Sequence, residues 1–268
     1  WNNFIEKQHT PTEKKLGKAC NKYLKQARAR YVQRFKEQVR QKNYNSKQKG
    51  FIIDLVSFLS IALEQAQIAN VIGNVWKLQY IDSAIKELDL IFKIAKKDPF
   101  EFIGSWNNYT QILEESTAQF IKDMSNEIAQ TTAKEMQRLV SYGLNEGLPI
   151  DEIADLINND ARFNTSRGKL IARTEATRLH AAAATKTIKD SNSFGILVKK
   201  GWIGNLDNAT RDSHRFLTKK YSQKQNAIYP DEYFITEEGK KALYPGDFNL
   251  AAEDCNCRCA VKPIVIDT

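Results

Sequence analysis

Three short strings in the second half of the chain bring together residue types that could do chemistry. Ile171-Ala-Arg-Thr-Glu-Ala176 sets Arg173, Thr174 and Glu175 side by side; Trp202 is followed by Asp207, Arg211, Asp212 and His214; and Asn256-Cys257-Arg258-Cys259 lies near the end. His214 and Cys257 are borderline and soft donors of the kind that hold a tetrahedral zinc, and Asp254, Cys255 or Cys259 would have to complete the four ligands. The reading adopted is that no cofactor is bound and that His214 and Cys257 pack together in a small core, with His214 hydrogen-bonded to backbone or to Asp212; zinc is the alternative. A catalytic reading is also open. Asp207, Asp212, His214 and Cys257 include a nucleophile and a base, while Arg173 and Glu175 could bind or activate a nucleotide or nucleic acid. Against it, the sequence has no Gly-rich phosphate loop, no His-x-x-x-His pair and no Asp-rich cluster, and a strand cysteine lacks the helix N-terminus that would lower its pKa. Arg173 and Glu175 are read instead as ion-pair clips between a helix and a strand layer, and the chain as a non-enzyme.

The elements that must position these residues can be read from periodicity. Apolar residues recur every three to four positions from about Thr12 to Gln41 (Leu24, Ala27, Tyr31, Phe35, Val39), with Lys and Arg on the other faces, which predicts a long basic helix. Phe51 opens an apolar helix interrupted at Gly73 and Asn74. Further helices are predicted over about 77–97, stopped by Asp98-Pro99, and over 106–142, with Gly143 and Gly147 as C-terminal caps. Shorter helical patterns follow near 150–158 and 165–190, the latter through Ala181–Ala184. Beyond Ser193 the signals turn to strands over 196–202 and 257–266, with Pro230, Pro245 and Gly246 in the loops between. The expected fold is mainly α: a helical domain over 1–147, then a small α+β domain over 148–268 with a short mixed or antiparallel sheet. His9, placed in a leading loop, and His180 are read as partly exposed residues without a special role.

Charge is distributed unevenly. Residues 1–50 hold 14 Lys and Arg against three Glu, a surplus of +11 in a 268-residue chain whose total is +8, so the remainder carries −3. A strongly basic arm on a slightly acidic body suits a polyanion, most often nucleic acid. Lys14, Lys15, Lys18, Lys22, Lys25, Arg28, Arg30, Arg34 and Arg40 are the candidate phosphate contacts, which implies sequence-independent binding to double-stranded DNA that weakens with salt. The alternative is an acidic protein surface as the partner. The longest apolar stretch, Phe51 to Leu63, contains Asp54 and is far short of the roughly 18 residues a membrane span requires. Cys20 alone and three crowded cysteines are not a disulfide scaffold, and a reducing compartment fits them. Trp1 opens the sequence, so whatever precedes it is not readable.

The order and spacing of the three strings resemble the phage Mu F-like minor head protein family, in which an "ARTE" helix is followed by a Trp strand, a "TR..H" turn and an "NCRC" strand. The resemblance runs from Gly147 onward and includes Pro245-Gly246-Asp247. Many members carry a Cys-x-x-Cys pair at the turn and a His two residues before "NCRC", a zinc-type set; here Arg211 and His214 occupy the pair and Asp254 replaces the upstream His. The resemblance implies a minor capsid-interior protein acting in procapsid assembly and in DNA packaging or ejection, made in the bacterial host cytoplasm and residing in the virion. Its implied partners are the portal and the capsid or scaffolding proteins, with no membrane. Arg173, Thr174, Glu175, Trp202, Asp207, Arg211 and Cys259 would be its motif residues.

Overall fold

The computed structural model describes residues 2–41, 60–99 and 106–267. Helix α1 (Asn2–Gln41) runs through Pro11. Helix α2 (Ile61–Ile68) passes through a π-helical turn, Ala69–Gly73, directly into α3 (Asn74–Ala95). There follow α4 (Trp106–Asn145), α5 (Ile150–Asn159) and α6 (Thr165–Ser193). Strand β1 (Leu197–Ile203), α7 (Asp212–Tyr221), β2 (Phe234–Ile235), β3 (Lys241–Ala242), the single turn α8 (Ala251–Asp254) and β4 (Ala260–Asp267) complete the chain. The fold is mainly α with a small antiparallel α+β region at the C-terminal end, as the sequence pattern predicts. Gly73 and Asn74 do not break the helix: the extra residue is absorbed by the π turn, and Gly73 lets Ile121 approach. The apolar run from Phe51 lies, as far as residue 59, outside the described residues.

Compactness does not follow chain order. One unit comprises 1–16, 75–118 and 170–268, the other 17–74 and 119–169, so α1, α4 and α6 each contribute to both. The change near 147 that the sequence suggests falls inside the second unit. There α4 ends with Gly147 at φ 69, the Leu148 N–H bonded to the Gly143 carbonyl and the Gly147 N–H to that of Leu144, the pattern of a Schellman cap. Gly143 is not itself a cap; a Cβ there would lie 2.6 Å from the Ile153 side chain, so its role is to admit α5.

In the second unit α1 is a core element, which corrects the expectation of a protruding arm. Cys20, Tyr23, Leu24, Ala27, Tyr31, Phe35 and Val39 are all buried. The unit also encloses a carboxylate. Glu64 of α2 is fully buried, accepts from Arg30 at 2.6 Å and from the Tyr23 hydroxyl at 3.1 Å, and is ion-paired with Arg34 at 3.0 Å, the pairing that a buried charge requires.

In the first unit α6 is buried on nearly every side from Thr174 to Ile188, which Ala181–Ala184 permit by their small size. His9 and His180 are buried here, contrary to the sequence reading, because α1 extends a further ten residues than its apolar stripe suggests. Their rings stack at 4.5 Å, and His180 also meets Ser83 (2.7 Å) and Thr12 (3.2 Å). Burial pushes His9 down to about 4, and pushes the buried Glu87 carboxyl up to about 8. The two act in opposite senses. His9 makes the fold less stable as pH falls from 6.5 towards 4, since only the unfolded chain takes up that proton; Glu87 makes it less stable as pH rises from 4.5 towards 8, since only the unfolded chain releases one. Between about 4.5 and 6.5 they offset each other, and above 6.5 Glu87 acts alone. Urea unfolding at pH 8 should therefore show about 2 kcal/mol less stability than at pH 6.5, and Glu87→Gln should remove that difference.

The C-terminal α+β region surrounds a cluster of Trp202, Leu217, Tyr221, Phe234, Phe248, Cys257 and Cys259. Strands β1 and β4 pair antiparallel, with Trp202 opposite Val261 and Val198 opposite Val265. Helix α7 lies across β1. Gly201 makes this possible, since a Cβ there would sit 2.7 Å from the Tyr221 carbonyl oxygen. Lys200, fully buried in the middle of β1, donates to the carbonyls of Pro230 (2.8 Å) and Leu243 (2.7 Å) beside the Phe234 ring, and so ties two loops to the strand.

Candidate functional site

The first string, on α6, is a latch. Thr174 accepts from the Asn256 N–H (3.2 Å), Thr177 donates to the Cys257 carbonyl (2.6 Å), and the Arg178 Nε donates to the Gly246 carbonyl (2.7 Å). Gly246 has φ 92, and a Cβ there would press on the Arg178 backbone, so the Pro245-Gly246-Asp247 loop needs glycine for conformation and for contact. The helix is thus fastened by backbone hydrogen bonds made by Thr174, Thr177 and Arg178. The ion-pair clips expected of Arg173 and Glu175 are replaced by other contacts: Arg173, nearly half exposed, lies 3.5 Å from Glu13 and from the Asn256 amide oxygen, and Glu175 lies 3.9 Å from Arg178 on its own helix.

The second string frames the turn into α7. Asp207 accepts from the Ala209 N–H (3.0 Å), an Asx turn, and takes a bidentate pair from Arg258 at 2.6 and 2.7 Å. Those Arg258 hydrogen bonds hold its carboxyl down to about 2. Arg211 donates to the Cys255 carbonyl (2.5 Å). Arg173, Asn205, Asp207, Asn256 and Arg258 line an open cleft of about 920 Å³ together with Glu13.

Behind the cleft wall the third string meets α7. His214 lies on the helix, and Cys257 and Cys259 lie in the turn before β4 and not in the strand itself. The His214 Nδ1 is 3.6 Å from the Cys257 Sγ and 3.3 Å from the Cys259 Sγ, and the three donor atoms lie within 4.8 Å of one another, all buried. Ligands bound to zinc at 2.0–2.1 Å (N) and 2.3 Å (S) across a tetrahedral angle stand about 3.6 Å apart, so these residues fit the metal. The other ring nitrogen, Nε2, lies 3.3 Å from Glu253 Oε2 without making a hydrogen bond to it; a small turn of the ring would give it the carboxylate partner that metal-binding histidines commonly have. The two thiols share protons unevenly: Cys257 is held well below the usual thiol range because it accepts from Cys259 and from His214, and Cys259 is pushed well above it. Asp254 is not a ligand candidate. Its two oxygens accept the N–H groups of Phe248 and Leu250, both at 3.1 Å.

The four residues of the catalytic alternative do not converge. Arg173 lines the cleft, Glu175 faces Arg178, His214 is buried in the cluster, and the Asp212 side chain is fully exposed on the first turn of α7, its nearest cation Arg215 at 3.8 Å. Helix α7 escaped the sequence reading, although Asp212 at its start, Lys219 and Lys220 at its end and the spacing of His214, Leu217 and Tyr221 were its signals. The nine basic candidates on α1 divide in two. Arg30 and Arg34 pair with Glu64, and Arg28 donates to the Asn158 carbonyl (3.1 Å), so these three are engaged by partners inside the second unit. Lys14, Lys15, Lys18, Lys22, Lys25 and Arg40 are exposed, and at 3.6 residues per turn their spacing places them within an arc of about 100°.

A long-helix fold with a C-terminal α+β module, latched by Thr and Arg side chains onto a Cys/His turn, is the architecture that the three strings specify. Residues 134–262 match the family described as phage Mu protein F like protein. Two curated proteins are similar to it: NAD(+)--arginine ADP-ribosyltransferase EFV of Enterococcus faecalis, 34% identical over 133 residues, 50% of this chain and 26% of that protein; and minor head protein GP7 of Bacillus phage SPP1, 27% identical over 155 residues, 58% of this chain and 44% of that protein. The chain thus spans less than half the length of either relative. No solved structure matches it. No helix among the described residues is long and apolar enough to cross a membrane.

Proposed function

We propose that this chain is a minor protein of a bacteriophage head, non-enzymatic, located inside the procapsid and virion. In this reading it acts in head assembly and in DNA packaging or ejection, with its C-terminal module docking on the portal and on capsid or scaffolding protein. The observation that carries the proposal is the family match over 134–262, together with the similarity to a protein named as a minor head protein. The exposed basic face of α1 would contact duplex DNA through phosphates, independent of sequence. Protein analysis of purified particles of the phage that encodes the chain should find it in a few copies per particle; particles that assemble normally without it would overturn the proposal.

The similarity to a protein named as an ADP-ribosyltransferase favours a second reading, a toxin-like or nucleotide-modifying enzyme. The shared segment is 26% of that protein, and Arg173, Glu175, Asp212 and His214 form no common pocket, so we take the shared segment to be an assembly module. Incubation with labelled NAD and arginine-rich acceptor protein should give no transfer; measurable transfer would favour the enzyme. For the buried cluster we infer zinc, held by His214, Cys257 and Cys259. Elemental analysis after purification without chelator should find about one zinc per chain, and less than about half would end that reading.

A further inference from the structure

We propose that the centre built by His214, Cys257 and Cys259 is a three-ligand metal site whose fourth position is open, taking water or a small anion beside Arg211. The proposal rests on the zinc reading above and concerns what that site leaves free. Four-ligand sites that serve only as structural ties are closed by protein donors, whereas three protein ligands leave a place for an exchangeable molecule.

Among the described residues, the neighbouring side chains that could close the site point or bond elsewhere. Asp254 clasps the backbone of Phe248 and Leu250 with both oxygens. Glu253 stands on the far side of the imidazole, near Nε2, and accepts from Ser213 (2.8 Å) and Lys240 (2.6 Å). Cys255 is partly exposed and offers its carbonyl to Arg211, and its sulfur is not among the grouped donor atoms. The position three residues before His214, from which a thiol would complete the set, holds Arg211.

What stands there is a small void. It measures about 10 Å³ and is walled by His214, Cys259, Thr210, Arg211 and Asn205 among others, which is room for about one water molecule. Asn205, Ala209, Asn256 and Arg258 belong both to this wall and to the wall of the 920 Å³ cleft, so the void adjoins a route to solvent. Asn205 keeps a buried Oδ1 with no protein donor, an acceptor of the sort a metal-bound water would satisfy. The charges agree as well. A divalent metal with two thiolates is neutral, and Arg211 on the wall would balance hydroxide or another monovalent anion, Arg258 being already paired with Asp207.

The test uses the full chain loaded with Co(II), read by absorption spectroscopy and titrated with azide. A thiolate-to-cobalt charge-transfer band reports the two cysteines. The account expects the ligand-field bands to change saturably with azide while the charge-transfer band persists. Arg211→Ala should weaken azide binding about tenfold without loss of metal, the size of effect that removing a neighbouring partner produces. Arg211→Cys should strengthen the charge-transfer band, tighten Co(II) binding about tenfold or more and abolish the azide response. A persistent charge-transfer band with ligand-field bands indifferent to azide would overturn the open position, and an unchanged azide affinity in Arg211→Ala would overturn the role of Arg211. Absence of the charge-transfer band would instead refute the zinc reading on which both depend.

Discussion

Replacing Trp202 with alanine is expected to destabilise the chain by about 3–5 kcal/mol, the range for truncating a large core aromatic. Trp202 is fully buried at the centre of the C-terminal cluster, edge-on to Phe234 at 5.2 Å and to His214 at 5.4 Å, with Phe248 at 5.9 Å. The last of these also stacks on His214. Removing the indole therefore leaves a cavity and frees the imidazole that must face Cys257 and Cys259. Two measurements separate these consequences: urea unfolding should lose stability, and Co(II) binding at temperatures where the variant is still folded should weaken. Trp202→Phe keeps most of the packing and should lose less than half as much on each. A loss below about 1 kcal/mol for the alanine variant would mean that the aromatic cluster is not the core of the module.

The second large effect concerns a charge. Glu64→Ala should cost about 3–5 kcal/mol, because it leaves the Arg30 and Arg34 guanidiniums, with side chains 23% and 15% exposed, opposite each other without their anion. The Tyr23 hydroxyl loses its acceptor in the same step. Glu64→Gln preserves shape and one acceptor oxygen, and should fall between wild type and Glu64→Ala. Adding Arg30→Met and Arg34→Met to Glu64→Ala should recover stability, since a cluster replaced as a whole by apolar groups no longer buries an unpaired charge. If the triple variant is no more stable than Glu64→Ala alone, the buried ion cluster is not what fails.

Much of the fold was legible because α-helical periodicity survives in the sequence wherever one face is buried. The stripe Leu24, Ala27, Tyr31, Phe35 and Val39 announced α1, and the alternation after Cys257 announced β4. What the stripe could not tell is what covers it. A helix with 14 cations near it reads as an arm, yet the apolar face is wholly buried and two of its arginines turn to the buried Glu64. For the same reason a version starting at Gly50 would remove a core helix along with the charges, and surface substitution is the better probe. His9 and His180 were misjudged because burial of a histidine depends on elements distant in sequence, α3 and α6, that periodicity within α1 does not report. Helix α7 was obscured by the Asn- and Asp-rich turn before it and by its short length.

The candidate site was legible as residue types and less so as roles. His214 and Cys257 were recognised as donors, with Cys259 one of three candidates to join them, and the structure brings His214, Cys257 and Cys259 within 4.8 Å. Asp254 was the natural fourth, since it stands where relatives of the family are expected to have a ligand, but its oxygens are taken by two backbone N–H groups that no spacing rule would reveal. The "ARTE" string was legible as a tie between helix and strand layer; that the tie is made by Thr174, Thr177 and Arg178 on backbone atoms, leaving Arg173 at a cleft, follows only from the packing.

The exposed basic face of α1 is proposed to hold duplex DNA by its phosphates. Binding of the full chain to random-sequence duplex across a salt series, compared with a variant carrying Gln at Lys14, Lys15, Lys18, Lys22, Lys25 and Arg40, tests it most directly. Each phosphate contact contributes about −0.9 to the slope of log K against log salt. The account predicts a steep slope for the full chain and one shallower by about 5 in the variant, with folding unchanged by urea unfolding, because all six side chains are exposed. Equal slopes in the two proteins, or no binding by the full chain near physiological salt, would contradict it and assign this face of α1 to an acidic protein partner.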